Sequence, residues 1–360
     1  IAIGENALRC EQGGNCNIAL GHDAMRGSCG ASCNIVLGAN TGKCITTGDV
    51  NIFLGHYAGR GFTTGEKNII MGDVAGGANC SQTGDSNVFL GSCAGYRVTG
   101  GNCNIFIGAQ AGCNQDMTGC NNIGIGECAG RDISNSSQNV AMGYRAMGQS
   151  GSATTGSNNV AIGRHAGYTM GSGYANVLIG SDVACNITSG NQNVILGRFT
   201  GKLLTSGGSN FLGGYAAGCC INTGGHNVAI GAYALQQEGN GASCFNVALG
   251  YGALRNMRGG GCNFAVGREA GTQLYDGVDN ILIGRCANSC GTGQNRLILI
   301  GWKVKACNST GSDQLAIGCD TSRWIFGDSN FNVCLGSGQS IKAMANGTMC
   351  ATCFVGCGAS

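Results

Sequence analysis

The residue types with the greatest chemical potential in this sequence are 24 cysteines and four histidines. The histidines, His22, His56, His165 and His226, are scattered along the chain and show no metal-ligand or catalytic spacing. None of the glycine-rich segments has the strand–helix context that a nucleophile elbow or a phosphate-binding loop requires. We therefore predict that the chain is not an enzyme and needs no cofactor or metal.

The number of cysteines favours an oxidising compartment and hence an extracellular or surface location. Cys16, Cys33 and Cys103 lie five residues before a recurring glycine, and Cys120 lies six before one. In stacked strands about 4.8 Å apart, such residues come within disulfide range. Cys16–Cys33 and Cys103–Cys120 are candidate disulfides. The alternatives are links between chains, loop pairs such as Cys29–Cys33 or Cys113–Cys120, free thiols and a metal site. For the Cys-X-X-Cys at 350–353, a terminal disulfide is favoured over a metal knuckle, because no spaced histidine accompanies it.

Five Asn-X-Ser/Thr sequons would accept glycans if the chain passes through a eukaryotic secretory route. They are at Asn79, Asn135, Asn186, Asn308 and Asn346. Asn, Ser and Thr are common enough in this sequence for about that many sequons to arise by chance.

A repeat organises all of these residues. The block Asn–apolar–X–apolar–Gly, as at 51–55, recurs mostly every 17 residues, with some spacings of 18 to 20. Alternating apolar residues bounded by glycine predict a strand, and a short fixed period predicts a solenoid. We predict an all-β, parallel β-solenoid of about 20 coils over residues 1–336. Residues 337–360 would form a degenerate terminal coil or cap.

The asparagine that opens each block predicts a ladder of stacked amides, each hydrogen-bonded to the next coil as in cross-β structure. Its clearest members are Asn17, Asn34, Asn51, Asn68, Asn159 and Asn227.

The two apolar positions that flank the centre of each strand share one face, and we expect them to fill the interior. The middle position would then point outward, yet it is mostly apolar as well. A strand that is apolar on both faces should be covered on both, so the middle residues form a candidate surface for self-association. They include Phe53, Ile70, Phe89, Phe106, Leu178, Ile195 and Leu282.

The sequence Asn-Val-Ala-Ile-Gly, at 159–163 and 227–231, resembles the head repeat of YadA-type trimeric autotransporter adhesins. Similar repeats occur in viral tail and surface fibres. The resemblance implies a left-handed β-roll, assembly of three chains around a common axis, and a surface that binds host matrix or cell receptors.

The predicted function is therefore a structural or adhesive extracellular fibre, assembled as a homo-oligomer. A receptor- or glycan-binding module is the alternative, with a patch near Tyr144, Tyr215, Tyr251 and Trp302, and an ice-binding solenoid is less favoured because threonines cluster unevenly. A net charge of +2 gives no reason to expect a nucleic-acid partner. No apolar run approaches the roughly 18 residues of a membrane-spanning helix, so we expect no membrane insertion in this segment.

Overall fold

The computed structural model describes residues 1–77, 81–113, 116–148, 153–236, 242–289, 291, 293–306, 311–320 and 322–328. It also gives the backbone of strand residues 333–335 and 340–341. The fold is an all-β parallel β-solenoid with a repeat of about 17 residues, as predicted, and the described residues include no helix. The chain divides into two compact units, Ile1–Gln192 and Asn193–Ser360.

Unit 1 is a stack of coils that each contribute one short strand. Neighbouring strands pair in parallel with matched repeat positions, so that Val160, Ala161 and Ile162 align with Val177, Leu178 and Ile179. The strands are β1 (Ala2–Ile3), β2 (Ile18–Leu20), β3 (Ile35–Leu37), β4 (Ile52–Leu54), β5 (Ile69–Met71), β6 (Val88–Leu90), β7 (Ile105–Ile107), β8 (Ile123–Ile125), β9 (Val140–Met142), β10 (Val160–Ile162) and β11 (Val177–Ile179).

Unit 2 continues the same type of coil and then departs from it. Its parallel strands are β12 (Val194–Leu196), β13 (Phe211–Gly213), β14 (Val228–Ile230), β15 (Val247–Leu249), β16 (Phe264–Val266), β17 (Ile281–Ile283), β18 (Ile298–Ile300) and β19 (Leu315–Cys319). The last strands are β20 (Ser322–Gly327), β21 (Val333–Leu335) and β22 (Ser340–Ile341). Strand β20 is antiparallel to β19, and β21 and β22 pair antiparallel in turn.

The parallel repeat therefore ends at β19, before the predicted boundary at residue 336. After Gly318 the chain does not form another turn of the parallel stack, and the next strand runs back along β19. Residues 323–326 are Arg-Trp-Ile-Phe, whose alternating pattern suits a strand in a hairpin.

Glycine makes the close approach of successive coils possible. Gly55 closes the block after β4 with φ of 132°, and a Cβ there would lie 2.7 Å from the carbonyl oxygen of Gly72 in the next coil. No real side chain tolerates that separation, so the glycine column is a steric requirement of stacking. This explains why the last residue of the block varies so little along the chain.

The interior is filled by the middle strand residues, which reverses the predicted faces. Phe53, Ile70, Phe89, Phe106, Leu178, Ile195 and Leu282 are all fully buried. The predicted oligomer surface is therefore wrong for these residues. The reason lies in the two-residue period of a strand: the opening Asn and the middle residue share one face, and the Asn points inward.

Side-chain sizes inside the coil are matched between the middle strand position and the fourth residue after the motif glycine. In the coil of Phe89, that fourth residue is Gly95, whose added Cβ would lie 2.4 Å from the Phe89 ring. In the coil of Ala141 the same position holds Met147, which is fully buried. Because both residues compete for one volume, a large group at one position requires a small group at the other.

Candidate functional site

The asparagine ladder is present and buried within each unit. In unit 1, Asn34 and Asn51 show its bonding pattern: the Asn51 backbone N–H donates to Asn34 Oδ1 at 2.8 Å, and Asn51 Nδ2 donates to the carbonyl of Gly65 at 2.9 Å. Asn68 Nδ2 in turn donates to Asn51 Oδ1 at 3.1 Å. In unit 2, Asn227 makes the same bonds to Asn210. Each amide therefore bridges adjacent coils and satisfies buried backbone groups, which is a structural role.

The flanking strand residues form an apolar surface that we call the flank stripe: the first and third residues of the three-residue strands β2–β11 in unit 1 and β12–β18 in unit 2. Every one of them is Ile, Val, Leu, Met or Phe, apart from Gly213. In β5, Ile69 is 38% exposed and Met71 is 40% exposed. The side chains expected in the core are thus the ones that face outward, and each unit presents two adjacent apolar columns without a charged residue.

The cysteines proposed as disulfide partners are free thiols in this structure. Cys16 and Cys33 hold equivalent positions of adjacent coils, both exposed and both with φ near 60°. Cys103 is instead aligned with Asn121 by the register of β7 and β8, so Cys120 is one residue out of phase. The geometry favours Cys16–Cys33 over Cys103–Cys120, and both disulfides remain predictions.

Other cysteines lie in different environments. Cys44 is disulfide-bonded. Burial raises the pKa of the Cys113 thiol to about 11. Burial and the neighbouring Cys220, whose Sγ is 3.2 Å away, raise the pKa of Cys219 to about 12. Those two thiols are therefore protonated and weakly nucleophilic at neutral pH. The Cys-X-X-Cys at 350–353 lies outside the described residues.

A cluster of titratable groups surrounds Asp182 in unit 1. Arg164 Nη2 donates to both carboxylate oxygens at 3.1 and 3.0 Å, Ser181 Oγ donates at 2.9 Å, and His165 Nδ1 is 3.1 Å away. Burial opposes ionisation of Asp182, but the hydrogen bonds from Arg164, Ser181 and His165 outweigh it and lower the pKa of the carboxyl. These contacts link side chains of neighbouring coils, so the cluster has a structural explanation.

The four residues of the predicted aromatic patch belong to different units. Tyr144 is in unit 1, where its ring centroid is 5.6 Å from that of His165. Tyr215 and Tyr251 are both in unit 2 and are joined by Tyr233, at centroid distances of 5.4 and 5.7 Å. Trp302 is also in unit 2, with Lys303 Nζ 4.7 Å from its ring centroid. Sequence reasoning missed Tyr233, because it occupies the next position of the turn rather than the one after the glycine.

Two of the predicted glycosylation sites are in the described part of the chain. Asn135 is exposed and accepts a hydrogen bond from Thr118 Oγ1 at 2.9 Å, while Asn186 is partly buried. Asn79, Asn308 and Asn346 lie outside the described residues. Exposure makes Asn135 the better acceptor of the two.

The described residues contain no group of three or more His, Cys, Asp or Glu side chains placed to hold a metal ion. Nor do they include a helix of the length and hydropathy needed to cross a membrane.

These features define the molecule as a parallel β-solenoid repeat protein with an internal amide ladder. No protein-family model matches the chain, and no curated protein matches it.

Proposed function

We propose that the chain is a non-enzymatic structural component of an extracellular fibre, and that it associates with copies of itself through the flank stripe. The observation that carries the proposal is the pair of uncharged apolar columns that each unit exposes. Contiguous apolar surface of this kind is rare on monomers and is typical of interaction sites.

The free energy available from covering the flank stripe supports self-association. Complete burial of an aliphatic side chain is worth about 1.5 to 3 kcal/mol, so covering the exposed two fifths of Ile69 or Met71 would contribute about 0.6 to 1.2 kcal/mol. Association costs about 4 to 15 kcal/mol in lost translational and rotational freedom. Ten contacts of that size would contribute about 6 to 12 kcal/mol, which is of the same order as the cost. A stack of coils supplies that many contacts only if the partner is equally long and regular. A second copy of this chain has both properties.

Three chains in the assembly are suggested by the resemblance of the repeat to trimeric adhesin heads. An extracellular or surface location is suggested by the cysteine content, and attachment to a host receptor or glycan by the same resemblance. The buried amide ladder fits a durable fibre, because each coil is hydrogen-bonded to the next through the core.

Sedimentation velocity and negative-stain electron microscopy of the purified chain test the proposal. The stripe variant I69K/M71K places two charges on the flank stripe, and the control T64K/T155K adds the same charge at exposed loop positions of the same unit. We expect the wild type and the control to assemble and the stripe variant to dissociate while keeping its circular dichroism spectrum. A wild-type chain that stays monomeric at micromolar concentration, or equal assembly of both variants, would overturn the proposal.

A further inference from the structure

Unit 2 carries a row of aromatic rings on the turn that follows the motif glycine. Phe199, Tyr215, Tyr233 and Tyr251 come from four successive coils, and neighbouring centroids are 5.9, 5.4 and 5.7 Å apart. All three contacts are edge-to-face, the favourable geometry for aromatic pairs. Tyr215 and Tyr251 are 42% and 43% exposed, so the row lies on the surface.

Cationic side chains cover this row. Arg198 lies 4.4 Å from the Phe199 ring centroid, Arg255 lies 5.0 Å from that of Tyr233, and Arg268 lies 5.6 Å from that of Tyr251. We call these seven residues the aromatic–cation strip. Cation–π contacts hold a guanidinium in place without neutralising it, so the strip keeps its positive charge.

Carboxylates do little to balance that charge. Arg268 pairs with Glu269 at 3.4 Å. Within the described part of the chain, Arg198 and Arg255 form no ion pair, and Arg255 Nε donates instead to the neutral Gln236 at 3.0 Å. Residues 193–360 contain eleven Lys and Arg against seven Asp and Glu. The local field thus favours a negatively charged ligand.

We propose that the aromatic–cation strip binds a linear anionic polysaccharide. The guanidinium groups of Arg198, Arg255 and Arg268 would pair with sulfate or carboxylate groups along the polymer, for which the planar fork of arginine is well suited. The hydroxyls of the three tyrosines would donate or accept hydrogen bonds with the sugars, and the exposed parts of Tyr215 and Tyr251 would provide apolar contact. A row repeated at the coil spacing fits a ligand that itself repeats, rather than one small molecule.

A single-stranded nucleic acid is the competing polyanion, and the geometry disfavours it. Proteins that bind single strands without sequence preference stack the bases on open aromatic faces. Here the ring faces of Phe199, Tyr233 and Tyr251 are covered by arginines, and neighbouring rings meet edge to face. The arginine guanidinium groups and the tyrosine hydroxyls can still recognise a ligand by charge and by hydrogen bonds, and a polysaccharide offers groups for both.

This inference deepens the proposed function by naming the ligand class of an attachment surface, and it is tested separately from self-association. The experiment uses the full chain and measures binding of a heparin oligosaccharide by fluorescence anisotropy or calorimetry. Hyaluronan fragments separate carboxylate from sulfate recognition, dextran provides a neutral polysaccharide, and a single-stranded DNA oligonucleotide provides a competing polyanion. Sedimentation of each sample reports assembly independently.

The decisive variants are R198Q/R255Q in the strip and R258Q/R296Q as the control, which removes equal charge elsewhere in unit 2. We expect heparin or hyaluronan to bind in a salt-dependent manner, and R198Q/R255Q to weaken binding at least about tenfold more than the control, as loss of charge-assisted hydrogen bonds predicts. The proposal is overturned by failure of both anionic polysaccharides to bind, by equal losses in the two variants, or by DNA binding as tightly as either polysaccharide. If the wild-type chain binds the polysaccharide but does not assemble, self-association alone is refuted and the binding proposal stands.

Discussion

Replacing Asn159 with alanine tests whether the amide ladder holds the coils together. Asn159 Nδ2 donates to Asn139 Oδ1 at 3.1 Å and to the carbonyl of Gly173 at 2.8 Å. Its Oδ1 accepts bonds from the backbone N–H and from Nδ2 of Asn176, both at 3.0 Å. The substitution N159A removes all four bonds at a fully buried position.

At a net value of about 1 kcal/mol for each hydrogen bond, the loss is about 4 kcal/mol. The carbonyl of Gly173 and the N–H of Asn176 are then left unsatisfied in the core, which adds about 1 to 3 kcal/mol if no water reaches them. A total of roughly 5 to 7 kcal/mol is a large fraction of the stability of a typical domain. Since stacked coils are coupled mainly to their neighbours, the effect should be concentrated around the coil of Asn159.

Urea unfolding followed by circular dichroism measures the total loss of stability, and amide hydrogen exchange shows which coils lose it. The matched control is Thr155→Ala, an exposed position in the same coil. We expect N159A to lower the unfolding free energy by at least about 3 kcal/mol relative to T155A, with faster exchange between residues 140 and 178. A difference below about 1 kcal/mol would refute the argument that buried amides couple the coils.

Three further predictions follow from the interior, the charged cluster and the exposed cysteines. Phe89→Ala should lower the free energy of unfolding by about 3 to 5 kcal/mol. The double variant F89A/G95M should lose less stability than F89A and G95M lose in total, because methionine fills the space that Phe89 leaves. If the two losses measured by thermal unfolding are additive, the residues do not share one volume. Because the folded pKa of Asp182 is lowered, its carboxylate contributes stability above the ordinary Asp pKa of about 4, and this contribution is lost as pH falls through the lowered value. The variant D182N should therefore flatten the acid side of a plot of unfolding free energy against pH, and an unchanged profile would count against the ion-pair account. Mild oxidation should link Cys16 to Cys33, as detected by peptide mass mapping after proteolysis without reductant; absence of that peptide beside other linked cysteines would reject the pair.

Much of the fold could be predicted from the repeat itself. The 17-residue spacing, the alternating apolar residues and the recurring glycine together predict stacked parallel coils, and the structure confirms them. The asparagine ladder was equally predictable, because an amide at one fixed position of stacked strands meets its neighbour at every step. Such inferences succeed because identical local chemistry recurs in each coil.

The assignment of the two strand faces failed for a specific physical reason. Apolar residues occupy both faces of strands such as β4, so hydropathy alone could not distinguish interior from exterior. The distinguishing signals were present elsewhere: Asn51 shares its face with Phe53, and Gly59 leaves room for the Phe53 ring, with an added Cβ only 2.4 Å from it. Both signals depend on how the chain turns within one coil, and the residue pattern of a single strand gives no information about that turn.

The candidate binding surface was only partly accessible from the sequence. Tyr215 and Tyr251 follow a motif glycine directly and were identified, but Tyr233 and Phe199 occupy the next position. Only the turn geometry shows that side chains from both positions alternate into one row. Their arginine partners also come from different positions of the coil, so no linear motif marks them.

The most direct test of the central claim is the solution mass of the chain, measured by light scattering coupled to size-exclusion chromatography. The account predicts that the wild type and the control T64K/T155K elute as one defined multimer of the 36.2 kDa chain, and that I69K/M71K elutes as a folded monomer. A wild-type monomer, or a stripe variant with the wild-type mass, would contradict it.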